Sequence, residues 1–199
     1  LSASFIPVYS RLLDDDRDKA NKLAGNILGL LIAVMAAIVA VGVLLARPLT
    51  LLITHGFSGQ RLELAVTLLR IMFPGVALLV LSAFCLGVLN SHRRFFLSYV
   101  SPVMWNASQI AFVVAAGLYG ATEVGLAHAL AWGVVVGGVA QVAVQVRSVR
   151  RLTRGAQLSF GRSDPHVRDV LARFWPVVLG RGVVQLLTYV DLVLASLLA

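Results

Sequence analysis

Residues Leu23–Ala46 read LAGNILGLLIAVMAAIVAVGVLLA, twenty-four residues without a charge. As a helix rising 1.5 Å per residue the run is about 36 Å long, enough to cross a hydrocarbon core of about 30 Å. In lipid only helices and closed barrels satisfy every backbone N–H and C=O. A solid apolar run, unlike the alternation of a barrel strand, selects the helix. Three more charge-free runs follow, Ile71–Ser91, Phe95–Thr122 and Val124–Val146. A fifth apolar stretch, Phe174–Ala199, has spanning length but contains Arg181 and Asp191, while Leu1–Leu13 reads as the tail of a helix already under way. The fold expected is an all-α polytopic membrane protein, and the chain reads as an internal piece of a longer one.

Composition supports the same solvent. Of 199 residues 59% are hydrophobic and 13% charged, against about 25% charged in a soluble domain, which excludes an ordinary soluble enzyme or binding module. Alternating crossings put the connections on two sides. Thirteen Lys and Arg, in Arg11–Lys22, Arg93–Arg94 and Arg147–Arg173, fall on one side and three, Arg47, Arg61 and Arg70, on the other. By the positive-inside rule the loops near 14–22, 91–96 and 147–173 are expected in the cytoplasm of a bacterial inner membrane, with His55 and Glu123 outside. The formal charge of +8 then points to anionic phospholipids as partners and away from nucleic acid, since no soluble basic fold presents it.

The segment 147–173 combines a basic cluster, Gly155, Gly161 and Asp164-Pro165, and reads as a linker between two bundles. Within it Val167, Val170, Leu171 and Phe174 recur at helical spacing, the pattern of an amphipathic helix at the interface; a plain solvated loop is the competing reading. Nothing in the spans reads as a catalytic site. GxSxG, P-loop, GxGxxG and HExxH motifs are absent, the one cysteine, Cys85, reads as a packing residue, and His128 reads as a packed, hydrogen-bonded histidine. Asn26, Asn106, Gln109, Gln141 and Gln145 read as hydrogen-bonding glue between helices, and Gly25/Gly29 and Gly133/Gly137 as GxxxG surfaces for close helix approach.

The last span carries the most informative polar residues, because a charge at the bilayer centre costs at least about 2.5–3.5 kcal/mol. At 100° per residue Arg181, Gln185, Thr188, Asp191 and Ser196 share an arc of about 140°, a polar stripe suited to a hydrated cavity or a buried helix interface. Arg181 and Asp191 are about 15 Å apart along the axis and do not pair. Arg181 reads as an anion contact and Asp191 as a cation or proton site; the structural alternative is that both snorkel to opposite interfaces.

Local wording adds a resemblance. Phe5-Ile6-Pro7-Val8, Leu69-Arg70-Ile71-Met72-Phe73-Pro74, the turn Gly87-Val88-Leu89-Asn90-Ser91-His92-Arg93-Arg94-Phe95, then Ser101-Pro102 and Asn106, occur in the order of the lipid II flippase family MurJ, also called MviN. Ala131–Gly138 with Gln141, and Pro176–Gly180 leading to Gln185, Asp191 and Leu194-Ala195-Ser196, continue the match across almost the whole chain. Asn90, Ser91, Arg94, Phe95, Pro102 and Asn106 are the motif positions. The chain departs from the family where Ser98 replaces a common Pro and where Arg181 is unusual.

The resemblance implies a two-lobe, fourteen-helix bundle of the multidrug/oligosaccharidyl-lipid/polysaccharide exporter type, with this chain running from the end of its second helix to most of its seventh. Residues 1–146 would belong to the first lobe, 147–173 to the cytoplasmic connection and 174–199 to the opening helix of the second lobe. It implies a transporter rather than an enzyme, which moves lipid II, the undecaprenyl-pyrophosphate-linked peptidoglycan precursor, between leaflets by alternating access, with cell-wall synthesis proteins as partners. Arg181, Gln185, Thr188 and Asp191 would line the cavity. Asp191 matches a position associated with sodium in some members, so a coupling ion, sodium or proton, or the membrane potential is the expected drive, with no other cofactor or metal. A sister exporter of other cargo, or a non-transporting membrane scaffold, remain the alternatives the residues leave open.

Overall fold

In the computed structural model, residues 2–53, 58–154, 156–161 and 164–198 are described, with side chains from Ser4 onward and, after residue 180, at 182, 183 and 185. Seven helices follow one another: α1 Ser2–Asp15, α2 Arg17–Leu44, α3 Ala46–Ile53, α4 Gln60–Ser91, α5 Phe95–Leu118, α6 Glu123–Leu152 and α7 Pro165–Leu198. Among the described residues no segment is paired into a β-sheet. Helices α2, α4, α5 and α6 are each long and apolar enough to cross a membrane, so the chain is a multi-pass helical membrane protein.

Local chemistry sets the helix ends. Asp16 caps α2, its Oδ1 accepting from the Asp18 and Lys19 N–H groups at 3.0 and 3.2 Å. These bonds, with the Lys19 ammonium 3.2 Å from Oδ2, hold the Asp16 carboxyl below the usual carboxylate range, the Lys19 backbone N–H contributing most. Thr122 caps α6 through Gly125 N–H at 3.3 Å. At the start of α7, Asp164 Oδ1 accepts from His166 N–H at 2.9 Å and Pro165 occupies the first helical position, where its missing N–H loses no bond. Asp164-Pro165 therefore opens a helix, and Pro165–Phe174 is continuous with the apolar stretch that follows.

Two features extend the sequence reading. The stretch after Ala46 folds as the short helix α3, with Pro48 in its first turn, where proline is tolerated. Helix α4 begins eleven residues before the charge-free run, at Gln60; Leu62 and Val66 on this extension bury against Ala46, and Arg47 lies 3.4 Å from Glu63.

The main core gathers at one end. Phe5, Val8, Tyr9 and Leu12 of α1 meet Leu23, Ala24 and Ile27 of α2, Phe84, Val88 and Leu89 of α4, Val149 of α6, and Val167 and Val170 of α7. Phe5 and Tyr9 stack with ring centroids 4.9 Å apart. At the start of α7 Val167 and Val170 thus join this core, while Leu171 is exposed. Helices α5 and α6 pack closely where a Cβ on Gly133 would meet Gln109 Cα at 2.9 Å and one on Gly137 would meet the Trp105 carbonyl at 2.8 Å, as GxxxG spacing predicts. Most of α5 instead faces outward, with Val103, Ile110 and Val114 exposed, as expected of a helix against lipid. Phe95, Phe96 and Tyr99 are exposed beside Arg93 and Arg94, and Tyr119 at the far end of α5. That is the distribution of aromatics at two membrane interfaces.

Candidate functional site

All of Arg181, Gln185, Thr188, Asp191 and Ser196 belong to one continuous helix, α7, so the backbone condition for a polar stripe holds. Gln185 is exposed. The side chains of Arg181, Thr188, Asp191 and Ser196 lie outside the described residues, as do His55, Gly155 and Arg162. What the described residues do place is the cation-rich end from which α7 departs.

Helix α4 ends there in the Leu89-Asn90-Ser91-His92-Arg93-Arg94 turn. Arg94 N–H reaches the Leu89 carbonyl at 2.9 Å and Arg93 N–H the Asn90 carbonyl at 3.0 Å, the pair of bonds of a Schellman motif. Arg93 takes the left-handed position normally given to glycine, at φ 57°. Ser91 Oγ donates to the Gly87 carbonyl at 2.9 Å. Asn90 and Ser91 are half-buried, and Arg94 and Phe95 are exposed. The motif positions here build a turn that exposes two adjacent guanidiniums. Asn106 Nδ2, one turn after Pro102, donates to the Pro102 carbonyl at 3.4 Å.

Tyr9 of α1 meets this turn. Its hydroxyl lies 3.1 Å from His92 Nε2, and the rings stand edge to face at 5.9 Å. Desolvation lowers the His92 pKa below 6.5, and the nearby Arg17 and Arg94 charges lower it further. Burial and the two guanidiniums therefore favour the uncharged ring at neutral pH.

The segment after α6 departs from the sequence reading. Residues 156–160 leave helical structure and run along α2. A Cβ on Gly25 would collide with the Gln157 carbonyl, and one on Gly29 would meet the Ser159 carbonyl at 2.5 Å. This GxxxG pair seats an extended backbone rather than a second helix, because a chain without a helix's girth lies closer still. Asn21 Nδ2 donates to the Arg154 carbonyl at 3.0 Å at one end of the seat, and Asn26 Nδ2 to Asp164 Oδ2 at 3.3 Å at the other. Asn26 Oδ1 is buried with no partner among the described residues.

Three openings surround this strand. An apolar cleft of about 630 Å³ lies between α2, α4 and α6, with Leu158 on one wall and Arg150 and Arg154 at its edge. A polar pocket of about 370 Å³ on the other side is lined by Asp18, Lys22, Asn26, Arg154, Gln157 and Ser159. A third, about 500 Å³, is bordered by Lys19, Lys22, Asp164 and His166. No cluster of three or more His, Cys, Asp or Glu suited to a metal occurs among the described residues.

Of the polar residues read as glue, Gln141 and Gln145 do link helices: Gln141 Nε2 donates to Ser82 Oγ at 2.8 Å, and Ser82 donates to Gln145 Oε1 at 2.9 Å. Gln109, like Asn106, instead bonds its own helix, at the Trp105 carbonyl. Ser82, which the structure places between two glutamines 59 and 63 positions away, and the Tyr9–His92 and Asn26–Asp164 contacts, which join residues 83 and 138 positions apart, have no local signal in the sequence. His128 Nδ1 lies 2.8 Å from the Val124 carbonyl of its own helix, and Cys85 is buried in the main core.

Comparison with known proteins fits this architecture. The sequence model of the family described as lipid II flippase MurJ matches residues 1–199. The chain is 31% identical over 200 residues to a probable lipid II flippase MurJ of Rhizobium tropici, covering 98% of this chain and 37% of that protein. It is 30% identical over 202 residues to the lipid II flippase MurJ of Burkholderia cenocepacia, covering 98% and 39%, and 29% identical to a probable one of Bdellovibrio bacteriovorus. The chain spans less than two fifths of the length of these curated relatives. It belongs to the lipid II flippase MurJ family.

Proposed function

We propose that the protein containing this chain carries lipid II from the inner to the outer leaflet of a bacterial cytoplasmic membrane by alternating access. The observation that carries the reading is the family match over every residue of the chain. The physical task is to move a pyrophosphate and a sugar-peptide head group through hydrocarbon while the polyprenyl tail stays in lipid. Cations in a hydrated cavity offset the pyrophosphate charge, and closing one side before opening the other prevents leakage.

In this reading residues 1–146 belong to the first lobe, 147–173 form the connection and 174–199 open the second lobe. The cation-rich end faces the cytoplasm, in accord with the distribution of Arg and Lys, and anionic phospholipids surround it. Arg181, Gln185, Thr188 and Asp191 line the cavity from α7. Asp191 holds the coupling ion, sodium or a proton, with the membrane potential as the other source of drive. Cell-wall synthesis proteins are the partners that consume the delivered precursor.

The test is complementation of cells depleted of their own lipid II flippase by the full-length protein, reading survival and outer-leaflet lipid II. Rescue is expected, with loss of transport in Asp191→Asn and a smaller loss in Arg181→Ala. A well-expressed, correctly inserted protein that fails to rescue overturns the cargo assignment.

A further inference from the structure

The strand 156–160 separates two openings of opposite character, and its alternation matches them. Leu158 faces the apolar cleft between α2, α4 and α6, whereas Gln157 and Ser159 face the polar pocket against α2. Arg154 borders both. The cleft runs from Arg154 and Arg150 down past Leu28 to Ile32, with Leu81, Val142 and Val146 on its other walls, and its volume falls in the range of about 300–1,000 Å³ typical of ligand sites. Arg150 stands four residues, about 6 Å of helix, beyond the end of the charge-free run at Val146, which is head-group depth.

Neither guanidinium has a carboxylate within ion-pair distance among the described residues. Asp18 borders the polar pocket with Arg154 but forms no ion pair with it. In the same pocket Asn26, 1% exposed, keeps an unpartnered acceptor, Oδ1, which calls for a donor. One amphiphile answers all three demands.

We infer that the cleft and the polar pocket together hold one bilayer phospholipid with an anionic, hydroxyl-bearing head group. An acyl chain fills the cleft against Leu28, Ile32 and Val142, the phosphate meets Arg150 and Arg154, and a head-group hydroxyl turns past the strand toward Asn26 Oδ1. The choice of a lipid over a protein segment rests on charge complementarity at the mouth and on the mouth's depth. None of the residues lining the cleft or the polar pocket belongs to α7, and the site does not depend on lipid II being the cargo.

The experiment places the full-length protein in nanodiscs with phosphatidylglycerol carrying a photoactivatable diazirine midway along one acyl chain, and with the matched phosphatidylcholine, which has no head-group donor. Adducts mapped by mass spectrometry are expected on α2 between Leu28 and Ile32 and on α6 near Val142, stronger for phosphatidylglycerol. Each of Arg150→Gln and Arg154→Gln lowers that labelling about fivefold, and Val142→Trp, which fills the cleft, abolishes it. Competition by excess unlabelled phosphatidylglycerol but not phosphatidylcholine reads the same preference in the unsubstituted protein, so a variant that fails to fold does not decide the result.

Absence of adducts in the cleft, as when another segment of the protein fills it, overturns the site. Equal labelling by the two lipids overturns the head-group assignment, and displacement by lipid II reassigns the occupant. Complementation is scored separately, so transport without lipid labelling refutes this site alone, and labelling without rescue refutes only the cargo.

Discussion

The two ends of the bundle are built differently. At the cation-rich end α1, α2, α4, α6 and α7 converge on fifteen buried residues, and a non-helical strand is pinned to α2 at Asn21, Gly25, Gly29 and Asn26. At the other end the described core is Ala46, Leu62 and Val66, edged by Leu69, with one exposed ion pair between Arg47 and Glu63. Between helices in lipid there is no hydrophobic driving force of the kind that acts in water, so packing and hydrogen bonds decide which end is rigid. By both measures the first end is the more tightly packed among the described residues, and α7 leaves from it.

The sharpest way to break this contrast is to empty one core and then the other. Phe84, 1% exposed, is central to the larger cluster; Phe84→Ala is expected to lower stability by about 3 kcal/mol, the low edge for such truncations, since lipid tails are as apolar as the core. Leu62→Ala at the opposite end should cost less, and equal losses in thermal unfolding of the detergent-solubilised protein would remove the distinction. Gly29→Leu comes next. It pushes a side chain into the Ser159 backbone and is expected to destabilise by about 1–3 kcal/mol, with new proteolytic cleavage at residues 156–160; an unchanged digest would show that the strand is not seated there.

Acidification tests the burial of His92 beside Arg17 and Arg94. Because folding lowers the His92 pKa below 6.5, its contribution is fully present above pH 6.5 and is lost as pH falls through the folded value. The thermal midpoint should therefore drop on going from pH 7.5 to 5.5, and His92→Asn should flatten that slope. Arg93→Gly relieves the left-handed strain at φ 57° and should stabilise by up to about 1 kcal/mol. The smallest effect is expected from Arg47→Ala. Its pair with Glu63 is about 60% exposed on both sides, so a change within about 0.5 kcal/mol is expected, and a larger one would show a firmer far end than the core implies.

Much of the fold was legible because spanning helices write themselves in uninterrupted apolar runs. Leu23–Ala46 became Arg17–Leu44, Phe95–Thr122 became Phe95–Leu118, and Val124–Val146 became Glu123–Leu152. Helix α4 outran its charge-free stretch because Arg61, Glu63 and Arg70 do not break a helix, and α3 was not anticipated because eight residues are too short to show periodicity. That Arg181, Gln185, Thr188, Asp191 and Ser196 belong to one helix was legible in their spacing; what four of these side chains face lies outside the described residues. The partner of Asn26 was not, for it depends on a loop that returns to α2 after more than a hundred residues.

Charge-free length by itself determined that this is a multi-pass helical membrane protein, since a bilayer admits few backbone solutions and each is visible in the local order of residues. The same Gly25-x-x-x-Gly29 spacing, however, accommodates a helix or an extended strand equally well. Only the tertiary structure decided that residues 157–159 lie there, because which surface fills a groove depends on where distant chain segments arrive, and local sequence does not encode that arrival.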